Sequence, residues 1–390
     1  MREQRKRLGQ FFTPTTVART LVAWVIRTPR DLLLDPSCGD GAFLRWHKRA
    51  VGIEVDADNA KLARQVAPSA LVHGGDFFSW AFATKERFEA IAGNPPFIRY
   101  QSLNSDVRAR ALAASSLMGA DFSALTSSWA PFVLVAAGLL KPGAAMAFVV
   151  PAELGHANYV RPLIPALCAK FSRVHVVAFR EKLFPELSQD CWLLHCSGFE
   201  GTTDSIAITA LDRFEPTDAP PRATRNVSLR AWRDLGERLR PFLLSDTAVS
   251  LYKELAHHPG TRRFGELATT GIGYVTGDND FFHLRPSEAQ RRGIPDGLLR
   301  VAVRKGDQLP AESVSRPHVA SWLEKNEPVL LLDLGRLDRL PASVERYLDE
   351  EPGQRARQAF KCRNRNPWYA VPDIKVPDAF LTVMSGEQPT

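Results

Sequence analysis

From Asp31 to about Phe199, short β-branched and aliphatic runs alternate with segments whose apolar positions recur at helical spacing. That alternation predicts a mostly parallel sheet covered by helices on both faces. Strands are expected at Leu32–Leu34, Ala50–Val55, Leu71–Gly74, Phe88–Ala92, Ala144–Val150, Arg173–Phe179 and Cys191–Ser197, which together make one doubly wound, seven-stranded, Rossmann-like α/β domain. Helical patterns cover Gly41–Lys48, Ala57–Gln65, Trp129–Leu140 and Tyr159–Lys170. Residues Tyr100 to Ser128, richer in Ser and Ala, read as a mobile insertion near the sheet's carboxyl edge.

After Gly201 the pattern changes. Residues Thr202 to Pro221 carry scattered Thr, Asp and Pro, so residues 201–240 are expected to link a domain at 1–200 to a mixed α+β region at 241–390. That second region holds strand-like Gly271–Phe282, helical Pro341–Leu348 and strand-like Ala379–Val383, just before the chain's end at Thr390.

Of 390 residues, 45% are hydrophobic and 24% charged, proportions that exclude a disordered or fibrous chain. The apolar stretch Ala130–Leu140 stops at Lys141-Pro142-Gly143, short of the roughly 20 residues that cross a bilayer. With no signal-peptide pattern at the start, a cytoplasmic protein without a membrane partner is expected. Five cysteines never spaced as Cys-x-x-Cys, and no His/Cys/Asp set at ligand spacing, point away from disulfides and metal. Fifty Lys and Arg against 43 Asp and Glu, net +7, favour a polyanionic partner.

Chemistry concentrates at the predicted strand ends. Leu32-Leu-Leu-Asp-Pro-Ser-Cys-Gly-Asp-Gly41 is a hydrophobic strand ending in Asp35, then a turn with Gly39 and Gly41. Open α/β sheets bind nucleosides at such a turn. A diphosphate cofactor would be repelled by Asp40, whereas S-adenosylmethionine has no phosphate and carries an ammonium and a sulfonium that suit Asp35. The next strand ends Gly52-Ile-Glu-Val-Asp56, offering acids for a ribose; spacing does not decide between them. The third closes with Gly75-Asp76-Phe77, where Asp76 suits an adenine amino group or, taken singly, a helix N-cap.

The fourth strand runs into Asn94-Pro95-Pro96-Phe97. Two prolines stiffen the loop and remove two backbone donors, leaving carbonyl acceptors. An exocyclic amine is a poor nucleophile because its lone pair is conjugated with the ring. The Asn94 side-chain oxygen and the Pro95 carbonyl can each accept one N–H, drawing the nitrogen toward tetrahedral geometry and stabilising its developing charge. Phe97 offers a face for the base.

With these motifs the sequence resembles the gamma-group DNA adenine-N6 methyltransferases of restriction–modification systems, the TaqI and Eco57I type. The order of motifs carries the resemblance: Gly9-Gln-Phe-Phe-Thr-Pro14, Asp35 to Gly41, Glu54, Asp76-Phe77 and Asn94-Pro-Pro-Phe97. It implies an S-adenosylmethionine-dependent catalytic domain followed by a target-recognition domain that binds double-stranded DNA, with a cognate restriction endonuclease as companion. By resemblance Thr13 and Asp35 contact the methionine moiety, Glu54 the ribose, and Asp76 with the Phe77 backbone the cofactor's adenine, which Val55 and Pro96 sandwich.

Asn94 and Pro95 hold the target amine, Phe97 stacks on the flipped base, and Phe184 of Leu183-Phe184-Pro185 matches the family's opposing aromatic. A lysine that some relatives place next has no counterpart in Glu186-Leu187-Ser188. Arg363-Asn-Arg-Asn-Pro-Trp-Tyr369 is similar to recognition-domain segments, so Arg363, Arg365, Trp368 and Tyr369 are expected at the DNA, with Arg355, Arg357 and Lys361 adding charge. Relatives usually continue further, so this domain is expected to be cut short. RNA, protein-glutamine or cytosine-N4 methylation are the enzymatic alternatives; a non-catalytic DNA-binding specificity subunit is the alternative of another class.

Overall fold

The computed structural model describes residues 13–97, 105–123, 127–184, 190–310, 313–335, 337 and 339–381. Gly9 to Phe12 of the amino-terminal motif, Pro185 to Ser188 and the last residues from Thr382 lie outside them. The chain divides into two compact units, Met1–Thr261 and Arg262–Thr390.

The first unit is built on one sheet. Its strands are β1 (Leu33–Asp35), β2 (Ala50–Glu54), β3 (Leu71–Gly74), β4 (Phe88–Gly93), β5 (Leu140–Pro151), β6 (Phe171–Phe179), β7 (Cys191–Phe199), β8 (Ser205–Leu211) and β9 (Arg225–Ser228). Their order is β3-β2-β1-β4-β5-β7-β6-β8-β9. Neighbours from β3 to β5 are parallel, β7 is antiparallel to both β5 and β6, β8 is parallel to β6, and β9 closes antiparallel to β8.

All seven expected strands form, and nine are present, because the segment read as a linker supplies β8 and β9. The alternation was masked by polar residues that the fold satisfies: Thr209 is 1% exposed, donates to the Arg222 carbonyl at 3.0 Å and meets His175 Nε2 at 2.8 Å. The boundary between compact units accordingly falls at residue 261 rather than between 200 and 240.

Side chains alternate between two cores, as the period of a strand requires. Along β5, Met146, Phe148 and Val150 join one cluster and Ala145, Ala147 and Val149 the other. Helix α1 (Thr15–Val25) and α2 (Ala57–Val66) contribute to the second cluster; α3 (Phe77–Ala83), α4 (Ser105–Leu117) and α5 (Trp129–Ala137) contribute to the first. A sheet covered on both faces needs apolar residues throughout its strands, which is why β1 and β2 are buried at every position.

Two helical expectations change, and the insertion proves to hold a helix. Gly41–Lys48 holds only a 3₁₀ turn, Leu44–Trp46, after a turn in which Gly39 and Gly41 have φ of +53° and +89°. Tyr159–Lys170 is divided by Pro162 into a 3₁₀ turn and the short helix α6 (Leu163–Cys168). The Ser/Ala-rich insertion contains α4, a composition helices accept. No helix among the described residues is long and apolar enough to cross a membrane.

The second unit holds a three-stranded antiparallel sheet in the order β10-β12-β11, with β10 (His283–Leu284), β11 (Leu299–Val301) and β12 (Leu330–Leu332). Phe281 and Tyr347 stack at 4.7 Å within its core, and the Tyr347 hydroxyl donates to the Phe281 carbonyl at 2.8 Å. Gly271–Phe282 forms no strand; it ends in the helical turn Asn279–Phe282, capped by Asp278. Residues 379–381 form none either.

Candidate active site

Strand order reverses between β1 and β4, whose carboxyl ends lie side by side in parallel register. Open α/β sheets bind ligands at such a switch point. Gly93 closes β4, and a Cβ there would stand 2.9 Å from Asp35 Oδ1. Glycine is therefore what lets the Asp35 carboxylate lie against the entrance to the Asn94 loop.

Asp35 is fully buried; its Oδ1 accepts from the Ser37 N–H at 3.2 Å, and its Oδ2 is buried with no hydrogen-bond partner among the described residues. Burial, reinforced by the like charges of Glu54 and Asp40 and opposed by the Ser37 hydrogen bond, pushes its carboxyl well above the usual range. Burial also raises Asp40 and Glu54, although Glu54 accepts the N–H groups of Gly39 and Asp56, each at 2.8 Å. Three acids held this way, one with an orphaned oxygen, form a receptor for positive charge and a poor one for phosphate. The sulfonium and ammonium of S-adenosylmethionine fit that donor set.

Other residues expected around the cofactor are distributed around these ends. Val55, 65% exposed, stands at the tip of β2. Asp76 caps α3 by accepting from the Ser79 N–H at 2.8 Å, the role its position suggested when read singly. The Phe77 ring is buried, 4.4 Å from that of Phe132, so only its backbone is left to face a ligand.

The loop Asn94-Pro95-Pro96-Phe97 is held by three hydroxyls from three parts of the chain. Asn94 Nδ2 donates to Thr13 Oγ1 at 3.2 Å, joining the amino-terminal motif to the loop. Ser37 donates to the Asn94 carbonyl at 3.0 Å, and Ser128 to the Pro96 carbonyl at 2.8 Å. The carbonyls on either side of Pro95 are thus engaged, whereas its own accepts no hydrogen bond among the described residues. Phe97 is half-buried and packs against both cores.

Ser37 and Ser128 were missed by the sequence reading. Ser128 precedes an apolar helix and so looks like an ordinary N-cap.

Phe184 departs from its expected role. It is only 6% exposed and belongs to the second core. In the second unit the expected DNA-contacting residues divide. Arg363 is exposed on a cleft of about 400 Å³ lined also by Arg357, Gln358, Arg365, Asn366, Pro367 and Trp368.

The Arg365 guanidinium instead donates inward, to the carbonyls of Thr276 (2.7 Å) and Val275, and fixes the strand-free 270s segment. Trp368 packs its ring 5.7 Å from Phe281 and 5.9 Å from Tyr369, so both aromatics brace the core beneath the cleft.

Residues 48–184 match the family described as Eco57I restriction-modification methylase. Residues 237–390 match the Type II methyltransferase M.Eco57I, C-terminal domain. The chain is 18% identical to the Type II methyltransferase M.AccI of Acinetobacter calcoaceticus and 23% identical to M.XamI of Xanthomonas campestris pv. amaranthicola. Each alignment covers 98% of this chain and 72% of the relative.

Among solved structures, its fold is similar to that of the type IIG restriction endonuclease BpuSI (TM-score 0.50, 13% identity, 94% of this chain and 48% of that one). It is also similar to DrdV in its DNA complex (TM-score 0.52, 13% identity, 83% and 42%). The chain thus spans under half of either enzyme. Two Eco57I matches in succession, over a doubly wound sheet with Asn-Pro-Pro-Phe at its switch point, place this chain in the family of Eco57I-type restriction–modification methylases.

Proposed function

We propose that this protein transfers a methyl group from S-adenosylmethionine to the N6 amine of an adenine flipped out of duplex DNA, as the modification enzyme of a restriction–modification system. The observation that carries this reading is the Asn94 loop. Thr13 takes up the amide nitrogen of Asn94, and the carbonyls of Asn94 and Pro96 are both anchored. In this reading the Asn94 side-chain oxygen and the Pro95 carbonyl accept the two N–H groups of an exocyclic amine.

Two accepted N–H bonds turn the amine's lone pair out of conjugation and stabilise positive charge as it develops on nitrogen. S-adenosylmethionine, when bound, supplies a methyl carbon activated by the adjacent sulfonium. Asp35 and Asp40 hold its positive end electrostatically and Glu54 its ribose, with Thr13, Val55, Asp76, the Phe77 backbone and Pro96 around it. Phe97 gives the extruded base an aromatic face, since a paired base hides its amine and must leave the stack. Arg363 and its cleft contact the phosphate backbone.

The test is incubation of the purified chain with methyl-labelled S-adenosylmethionine and unmethylated genomic DNA, followed by nucleoside analysis. Label in N6-methyladenine is the expected result. Label in N4-methylcytosine, or label only when RNA or protein is supplied, overturns the choice of substrate.

A further inference from the structure

A proline-locked loop is difficult to hold in place. Neither Pro95 nor Pro96 has an N–H, so the backbone at these positions can be fixed only through carbonyls, by donors brought from elsewhere. The Pro96 carbonyl has such a donor in Ser128, which is 1% exposed and lies 32 residues further along the chain. We propose that Ser128 is a positioning residue for methyl transfer: by clamping the Pro96 carbonyl it sets the direction of the Pro95 carbonyl and the placement of the Phe97 ring. This rests on the reading of the loop as the transfer site.

Two further observations carry the inference. Ser128 occupies the N-cap position of α5, where a serine ordinarily accepts from an N–H of the first turn, yet it makes no such bond and directs its hydroxyl to the loop. A helix start that forgoes its cap has lost local stability for a contact elsewhere.

The clamp also has a rigid backing. Trp129, fully buried, donates its indole N–H to the Tyr159 hydroxyl at 3.0 Å, and Tyr159 donates to Glu153 in the 3₁₀ turn that follows β5. Ser128 is thereby tied to the carboxyl end of the strand neighbouring β4, the strand that launches the loop. Loop and clamp are thus referred to the same sheet edge, so the carbonyl directions on either side of Pro95 are set by the sheet rather than by the loop alone.

The experiment compares Ser128→Ala, Ser128→Thr and Tyr159→Phe with the parent chain and with Asn94→Ala. Single-turnover transfer to unmethylated genomic DNA is measured beside S-adenosylmethionine affinity by calorimetry. Loss of one hydrogen bond to the loop is expected to slow the Ser128→Ala transfer step about three- to tenfold. Cofactor affinity should stay unchanged, Ser128→Thr should recover the rate, and Tyr159→Phe should fall between.

A folded Ser128→Ala that transfers at the parent rate, or one that loses cofactor binding in proportion to rate, overturns the assignment. So does a Tyr159→Phe variant at full rate if Ser128→Ala does not fold. A parent chain that modifies adenine while Asn94→Ala does not shows that the functional reading stands whatever Ser128 does. A parent chain that transfers nothing to DNA removes both.

Discussion

Asn94 Nδ2 donates to the hydroxyl of Thr13 across 81 residues of sequence, at 3.2 Å. In this placement the amide nitrogen faces Thr13, the arrangement that the proposed acceptor role of the oxygen requires. The contact also ties Thr13 of the amino-terminal motif to the loop. Thr13→Val, which keeps the shape and removes the hydroxyl, is expected to slow single-turnover transfer by about tenfold, the cost of letting a catalytic amide rotate. If cofactor affinity falls instead and the rate at saturation holds, the hydroxyl serves the cofactor alone.

Proton release should accompany cofactor binding. Asp35, Asp40 and Glu54 all have carboxyls raised by burial, so part of their population is protonated at a pH where exposed acids are ionised. A cation favours the ionised forms, lowers these values and expels protons. Affinity for S-adenosylmethionine is therefore expected to rise as pH rises from the ordinary carboxylate range through the raised values. The unliganded chain should lose stability over the same window, because its folded state holds protons the unfolded chain has released. Calorimetry in buffers of different ionisation heat measures the release; affinity that is flat with pH would contradict it.

Arg363 and Arg365 should behave differently. Arg363→Ala is expected to weaken DNA binding and to flatten its dependence on salt by about one counterion. Arg365→Ala should act first on stability, since it leaves the Val275 and Thr276 carbonyls without their charged donor, a loss of about 1.5–3 kcal/mol. Binding isotherms at several salt concentrations beside melting curves separate the two; an unaltered melting temperature for Arg365→Ala would return that residue to the DNA.

Acid should unfold the first unit through a buried pair of histidines. His175 and His195 face each other in the β6–β7 register, and burial first, then neighbouring positive charge, lowers them to about 4 and about 3 from 6.5. The unfolded chain takes up protons first as pH drops below 6.5. Stability that is whole above that point is lost between 6.5 and 3, by roughly 3–5 kcal/mol per imidazole. His195→Phe keeps a ring beside Trp24 and cannot titrate, so its melting temperature should fall less steeply across this range.

What could be read from the sequence follows from which forces are local. Strands β1 to β7 were legible because burial on both faces demands unbroken apolar runs. Strands β8 and β9 were not, because a buried threonine satisfied by His175 and Arg222 looks, in sequence, like a threonine in a loop. Asp35 and the Asn94 loop stood out as residue types that strand ends do not ordinarily need.

Phe184 illustrates the opposite case: an aromatic after a strand carries no mark of whether it turns inward or outward. Arg365 is read as a DNA ligand until the carbonyls at 275 and 276 come into view. Ser128 was hidden by resembling a cap, and only the missing cap bond reveals its other employment.

The late strands have a practical bearing. β6 pairs with β8 at six successive positions, from Val174–Ile206 to Phe179–Leu211. A catalytic fragment ended near Phe199 would bare that whole margin of unsatisfied amides and carbonyls on an apolar strand, an invitation to stick to its neighbours. Its insolubility would then be mistaken for inactivity, and any attempt to isolate the first unit should carry the chain on to Thr261.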